Sequence, residues 1–73
     1  MPPKIRELEA RLLVAGFICR GGKGSHRNYT HPLLKRVVTI SGRAGADAER
    51  YQERQIDQAI REVEELEAKN EIR

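Results

Sequence analysis

Apolar residues recur at three- and four-residue spacing near both ends of the chain and alternate with polar ones in between. In the first stretch Ile5, Leu8, Leu12 and Ala15 line one helical face, Leu13 widens it, and Arg6, Glu7, Glu9 and Arg11 face outward. Pro3 suits a first helical position, where its missing N–H costs nothing. Gly16 suits the left-handed residue that ends a helix, with Phe17 folding back on the last turn. In the last stretch Ala48, Tyr51, Ile56, Ala59, Ile60, Val63 and Leu66 predict a long amphipathic helix. Asp47 is its expected N-cap, with Glu49 in the first turn. Asp57→Arg61 and Glu65→Lys69 are i,i+4 ion pairs in the favourable order, each worth ~0.2–0.5 kcal/mol. The closing residues are expected to fray.

The middle of the chain reads as three strands. Phe17–Arg20 is extended, with Phe17 and Cys19 on one face and Ile18 and Arg20 on the other. Gly21–Ser25 is a flexible hairpin connection, and Arg27–His31 alternates until Pro32, which cannot donate to a ladder. Leu33–Lys35 form a turn, Arg36–Ser41 is β-branched, and Gly42–Gly45 is a loop. The order is helix, three antiparallel strands, helix. That predicts one α+β domain over residues 1–73, a two-layer sandwich with both helices on one face of the sheet and the other face open.

Strand alternation sorts the side chains. Tyr29 is the one large apolar body in its strand, so its side packs under the helices with Val38 and Ile40. The open face then collects Arg20, His26, Asn28, Thr30 and Thr39, with Lys23 and Arg27 at its rim and Ile18 and Val37 as exposed apolar residues. His26 and His31 fall on opposite faces unless a bulge intervenes, which places them poorly for a shared metal or an acid–base pair.

Composition narrows the classes. Seventy-three residues allow a single small core. No apolar run approaches the ~20 residues needed to cross a bilayer, and Met-Pro-Pro-Lys lacks the apolar segment of a signal peptide, so a cytoplasmic protein without membrane contact is expected. A single cysteine excludes an internal disulfide and, with two histidines, argues against zinc; Cys19 reads as a small core side chain. Residues 1–45 carry nine Lys/Arg against Glu7 and Glu9, a balance of +7, whereas residues 46–73 carry five against nine acids, a balance of −4. A polyanion should therefore meet the half that holds the glycine loop.

RNA brings its own nucleophile, the 2′-hydroxyl. A protein that cuts it must move protons and stabilise charge on the phosphate. An imidazole, which ordinarily titrates near ~6.5, suits the proton transfers, so His26 is the candidate catalytic residue. Arg20, Lys23 and Arg27 suit the phosphate charge, the amides of Gly22, Lys23, Gly24 and Ser25 suit its oxygens, and Asn28 is a further RNA-binding candidate beside them. No cofactor or metal is called for. Two other readings use the same residues. One is a non-catalytic RNA-binding module on the same basic face, with salt-sensitive binding and intact RNA. The other is a protein-interaction domain whose second helix drives assembly, so that truncation after Ala59 abolishes association. The glycine loop matches neither G-x-x-x-x-G-K-[ST] nor G-x-G-x-x-G, which excludes those nucleotide sites.

Arg6-Glu7-Leu8, Gly16-Phe17, Gly24-Ser25-His26, Tyr29 and His31-Pro32, in this order and spacing over residues 4–41, resemble the HicA toxins of bacterial toxin–antitoxin modules. The resemblance implies a double-stranded-RNA-binding-like α-β-β-β-α fold and a metal-independent messenger-RNA endonuclease that blocks translation. It carries the essential histidine of that family onto His26. It also implies a HicB antitoxin that covers the active face. Two stretches depart from the family pattern: Ile40-Ser-Gly-Arg43 stands where Val-Pro-x-His is common, and the second helix is long and highly charged.

Overall fold

The computed structural model of the chain describes residues 1–71. The elements are α1 (Ile5–Val14), β1 (Ile18–Gly21), β2 (His26–His31), β3 (Leu34–Ser41) and α2 (Arg50–Glu71). The strands form one antiparallel sheet in the order β1-β2-β3. The predicted α-β-β-β-α sandwich is the observed one. The expected fraying falls in part on Ile72 and Arg73, which lie outside the described residues.

The core lies between the sheet and the helices. Ile5, Leu8 and Leu12 of α1, Phe17, Tyr29, Val38 and Ile40 of the strand segment, and Ile56, Ala59 and Val63 of α2 are all buried. Full burial of such aliphatic and aromatic side chains contributes roughly 1.5–3 kcal/mol each, so this cluster is the main source of stability. Leu13 does not widen the stripe; it is exposed, as is Val14 at the rim of the groove between α1 and α2. Gly16 ends the helix with φ +98, and Leu12 O accepts the Phe17 N–H at 2.9 Å.

Cys19 is exposed, contrary to the reading of it as a core side chain. Its register partner is Tyr29, so it sits on the helix side. Yet α2 packs on β3 and α1 reaches over Tyr29, which leaves the edge strand β1 uncovered. The β2–β3 turn is shorter than expected, because β3 begins at Leu34 and not at Arg36. His31 Nδ1 accepts the Leu33 N–H at 3.0 Å and so tightens that turn.

The start of α2 also differs from expectation. Asp47 does not cap it; its carboxylate takes the Lys4 ammonium at 2.6 Å, within a short bridge between residues 4 and 47. The cap is Glu49, whose carbonyl accepts the Gln52 and Glu53 amides at 3.0 and 3.2 Å. The Gln52 side chain returns the bond, its Oε1 accepting the Glu49 N–H at 2.8 Å. This start rotates the helix so that Gln52, not Tyr51, continues the stripe of Ile56, Ala59 and Val63. Gln52 is buried and Tyr51 exposed. Asp57 meets Arg11 of α1 at 3.4 Å instead of Arg61, and no ion pair joins Glu65 to Lys69.

Candidate nucleic-acid interface

Register places the open-face residues in rows. His26 pairs with Ser41, Asn28 with Thr39, and Thr30 with Ile18 of β1. Arg20 keeps the place on this surface that alternation predicts, despite a bulge between Cys19 and Gly21, and its Nε donates to Thr30 Oγ1 at 3.3 Å. Thr39 Oγ1 donates to Asn28 Oδ1 at 2.8 Å. His26 is exposed on this face and not beneath the helices.

One contact orients the imidazole. His26 Nδ1 and Ser41 Oγ lie 2.9 Å apart in hydrogen-bond contact. A hydroxyl both donates and accepts, so Ser41 suits either tautomer and the imidazolium. The contact leaves Nε2 without a protein partner, facing solvent. Sequence reading missed Ser41, since only the β2–β3 register brings a residue fifteen positions away onto the histidine. His31 does lie on the other face, where its ring meets Phe17 edge-on at 5.1 Å, despite an irregularity in the ladder between Tyr29 and His31.

The loop before β2 turns back sharply on the strand. Lys23 O accepts the His26 N–H at 3.0 Å, and Ser25 O accepts the Gly42 N–H at 3.1 Å. None of the Gly22, Lys23, Gly24 and Ser25 amides donates to a protein acceptor among the described residues. Gly24 takes φ +58, and Lys23, Gly24 and Ser25 are exposed. Successive free amides around a left-handed residue form a concavity suited to anions.

Arg27 is the expected phosphate residue that does not belong to this surface. Alternation turns it to the helix side, where its Nε donates to Glu9 Oε2 at 2.5 Å and its Nη2 to the Gly42 carbonyl at 2.9 Å. Glu9, expected to face outward, is thereby half-buried, and the same Oε2 accepts the Tyr29 hydroxyl at 2.6 Å. Burial first, and then the hydrogen bond to Glu9 and its negative charge, raise the Tyr29 phenol well above its ordinary value of 10.0. The folded chain therefore keeps the phenolic proton at a pH where the unfolded chain releases it. Stability from this group is complete below pH 10 and falls as pH rises toward the folded value. In Tyr29→Phe, urea unfolding across pH 9–11 should show a shallower alkaline decline than the unsubstituted chain; equal slopes would contradict this account.

The charge balance of the face follows from the same sorting. Residues 17–46 contain six Lys/Arg and no acid. Arg27 and Arg36 are engaged by Glu9 and Glu62 on the helix side. Arg20, Lys23, Lys35 and Arg43 remain exposed and without an acidic partner among the described residues. The open side is thus polar and cationic, with Ile18 and Val37 exposed upon it.

A family model described as the HicA toxin of bacterial toxin–antitoxin modules matches residues 5–64. This chain belongs to the HicA toxin family. The match spans α1, the whole sheet and most of α2, so it reaches past the residue 41 limit of the motif resemblance and takes in the charged second helix. No curated protein and no solved structure matches the chain. As a toxin of a toxin–antitoxin module it implies an antitoxin partner. None of the described helices of this HicA chain is long and apolar enough to cross a membrane.

Proposed function

We propose that this HicA chain is a metal-independent endoribonuclease acting on messenger RNA at the open face of its sheet, with His26 as the proton-transfer residue. The observation that carries the reading is a solvent-facing imidazole whose Nδ1 is held by Ser41 and whose Nε2 is free, on a face without carboxylates. Nε2 takes the proton of a 2′-hydroxyl, the 2′-oxygen attacks the adjacent phosphorus, and the bond to the 5′-oxygen breaks. The departing oxygen receives a proton from the imidazolium or from water, leaving a 2′,3′-cyclic phosphate and a 5′-hydroxyl. Arg20 and Lys23 neutralise the phosphate, the loop amides at Gly24 and Ser25 donate to its oxygens, and Asn28 contacts the strand beside it. Arg27 is left out of this set because Glu9 and Gly42 occupy its guanidinium. A HicB antitoxin would cover the same face, and Ile18 and Val37 supply apolar contact for it.

Incubating the pure chain with RNA in EDTA tests the reading. Cut RNA ending in 2′,3′-cyclic phosphate is the expected product. RNA that is bound but recovered intact would replace the nuclease with a binding module, and cleavage that stops when EDTA is added would remove the metal-free mechanism.

A further inference from the structure

We infer that Gln52 is a positioning residue for His26, acting through Ser41; this rests on the nuclease reading above. Gln52 is the one buried polar side chain in the described core, at 7% exposure, and both ends of its carboxamide are hydrogen-bonded. Oε1 accepts the Glu49 N–H at 2.8 Å, and Nε2 donates to the Ser41 carbonyl at 2.8 Å. The same residue, Ser41, turns its hydroxyl to His26 Nδ1 at 2.9 Å on the opposite face of the sheet. A single side chain therefore ties the first turn of α2 to the last residue of β3, the residue that sets the imidazole.

The tie matters because Ser41 closes a strand. Beyond it one more backbone bond, from the Gly42 N–H to Ser25 O at 3.1 Å, closes the pairing with β2, and β3 is an edge strand with no neighbour on its outer side among the described residues. Strand ends open more readily than strand centres. Two half-buried contacts from the helix side restrain this one: Gln52 on the Ser41 carbonyl and Arg27 on the Gly42 carbonyl. Without the first, the Ser41 hydroxyl is no longer fixed against Nδ1, and the ring rotates with Nε2 no longer aimed at the substrate. Gln52 touches neither RNA nor His26, so its effect falls on turnover and not on binding.

Gln52→Glu isolates the effect. Glutamate has nearly the same shape, still accepts the Glu49 N–H and suits the first turn of a helix, but in its ionised form it cannot donate to the Ser41 carbonyl; Gln52→Met, which cannot donate in any protonation state, is the check on it. We expect kcat to fall about tenfold to 100-fold with KM unchanged, the range that a misplacement of about 1 Å produces. In NMR spectra of the free protein, the Overhauser contact between Ser41 Hβ and His26 Hε1 should disappear while the amide pattern of the remaining core persists. Gln52→Met, which keeps the stem without either polar atom, should give the same loss. Ser41→Ala should reproduce the kinetic defect, and Ser41→Thr, which retains a hydroxyl on a β-branched strand residue, should restore it. The inference is overturned if Gln52→Glu and Gln52→Met keep the Ser41–His26 contact and wild-type kcat while His26→Ala is inactive. Loss of the nuclease reading is separate, because it would show as wild-type cleavage by His26→Ala whatever Gln52 does.

Discussion

His26→Ala will reduce RNA cleavage by ~10²–10⁴, the contribution of a positioned general acid or base. The thermal midpoint should stay close to that of the parent chain. His26 is exposed and its one side-chain bond is to Ser41 on the sheet surface. Surface substitutions of this kind change stability by less than about 0.5 kcal/mol. The loss should therefore lie in turnover alone, and RNA retention should persist because Arg20, Lys23 and the loop amides remain in place. The pair of measurements to make is cleavage rate and RNA affinity at one salt concentration, since cationic contacts weaken as salt rises. Wild-type cleavage by His26→Ala would refute the assignment of proton transfer to this residue. A parallel fall in affinity and rate would show that the imidazole serves binding more than chemistry.

Gly22→Ala is expected to be the most damaging single change in the loop, and by a different route. A Cβ at Gly22 would stand 1.9 Å from the His26 carbonyl oxygen, 2.8 Å from its carbon and 3.1 Å from the Arg27 Cα. All three atoms belong to the backbone, so no rotamer change relieves the overlap. The residue also takes φ +158, which L side chains rarely adopt. The loop must move away from the start of β2, carrying the Lys23–Ser25 amides and the His26 peptide with it. Overpacking of this kind costs roughly 1–3 kcal/mol and backbone strain adds about 1–3 kcal/mol. For a domain of this size each kcal/mol lowers the thermal midpoint by about 4–8 °C. Gly24→Ala is the control: its φ is +58, but nothing lies within 4 Å of the added Cβ, so only the backbone strain remains. Calorimetry should rank the parent chain first, Gly24→Ala second and Gly22→Ala last, with cleavage falling most in the last. Equal midpoints for the two variants would show that the loop accommodates a side chain at Gly22.

Much of the layout of this face is legible in the residue order. Period-two alternation through His26, Asn28 and Thr30 put the imidazole on the open face, and Tyr29 marked the covered one. Lys23, Gly24 and Ser25 read as a free loop because three glycines in a row of five leave no apolar side chain to anchor. What the residue order hides has one origin. Arg27 reads as a phosphate ligand because its charge is visible in the sequence, but Glu9, eighteen residues earlier, is its partner in space. Asp47 looked like a helix cap because Lys4 lies forty-three residues away along the chain. Cys19 looked buried because alternation names a side of the sheet and not whether a helix covers it.

What the amino-acid order determined by itself is local: where helices and strands lie, which face of each is apolar, where positive charge gathers, and that one histidine stands among it. These follow from side-chain spacing and from residues within a few positions of one another. The tertiary structure alone decided which cations stay free and which are neutralised by Glu9 or Glu62, and that Ser41 holds the His26 ring while Gln52 holds Ser41. The physical reason is that such contacts depend on strand register and on the rotation of α2 about its axis. Both are set by the packing of the whole core, and a shift of one residue in either would exchange every partner.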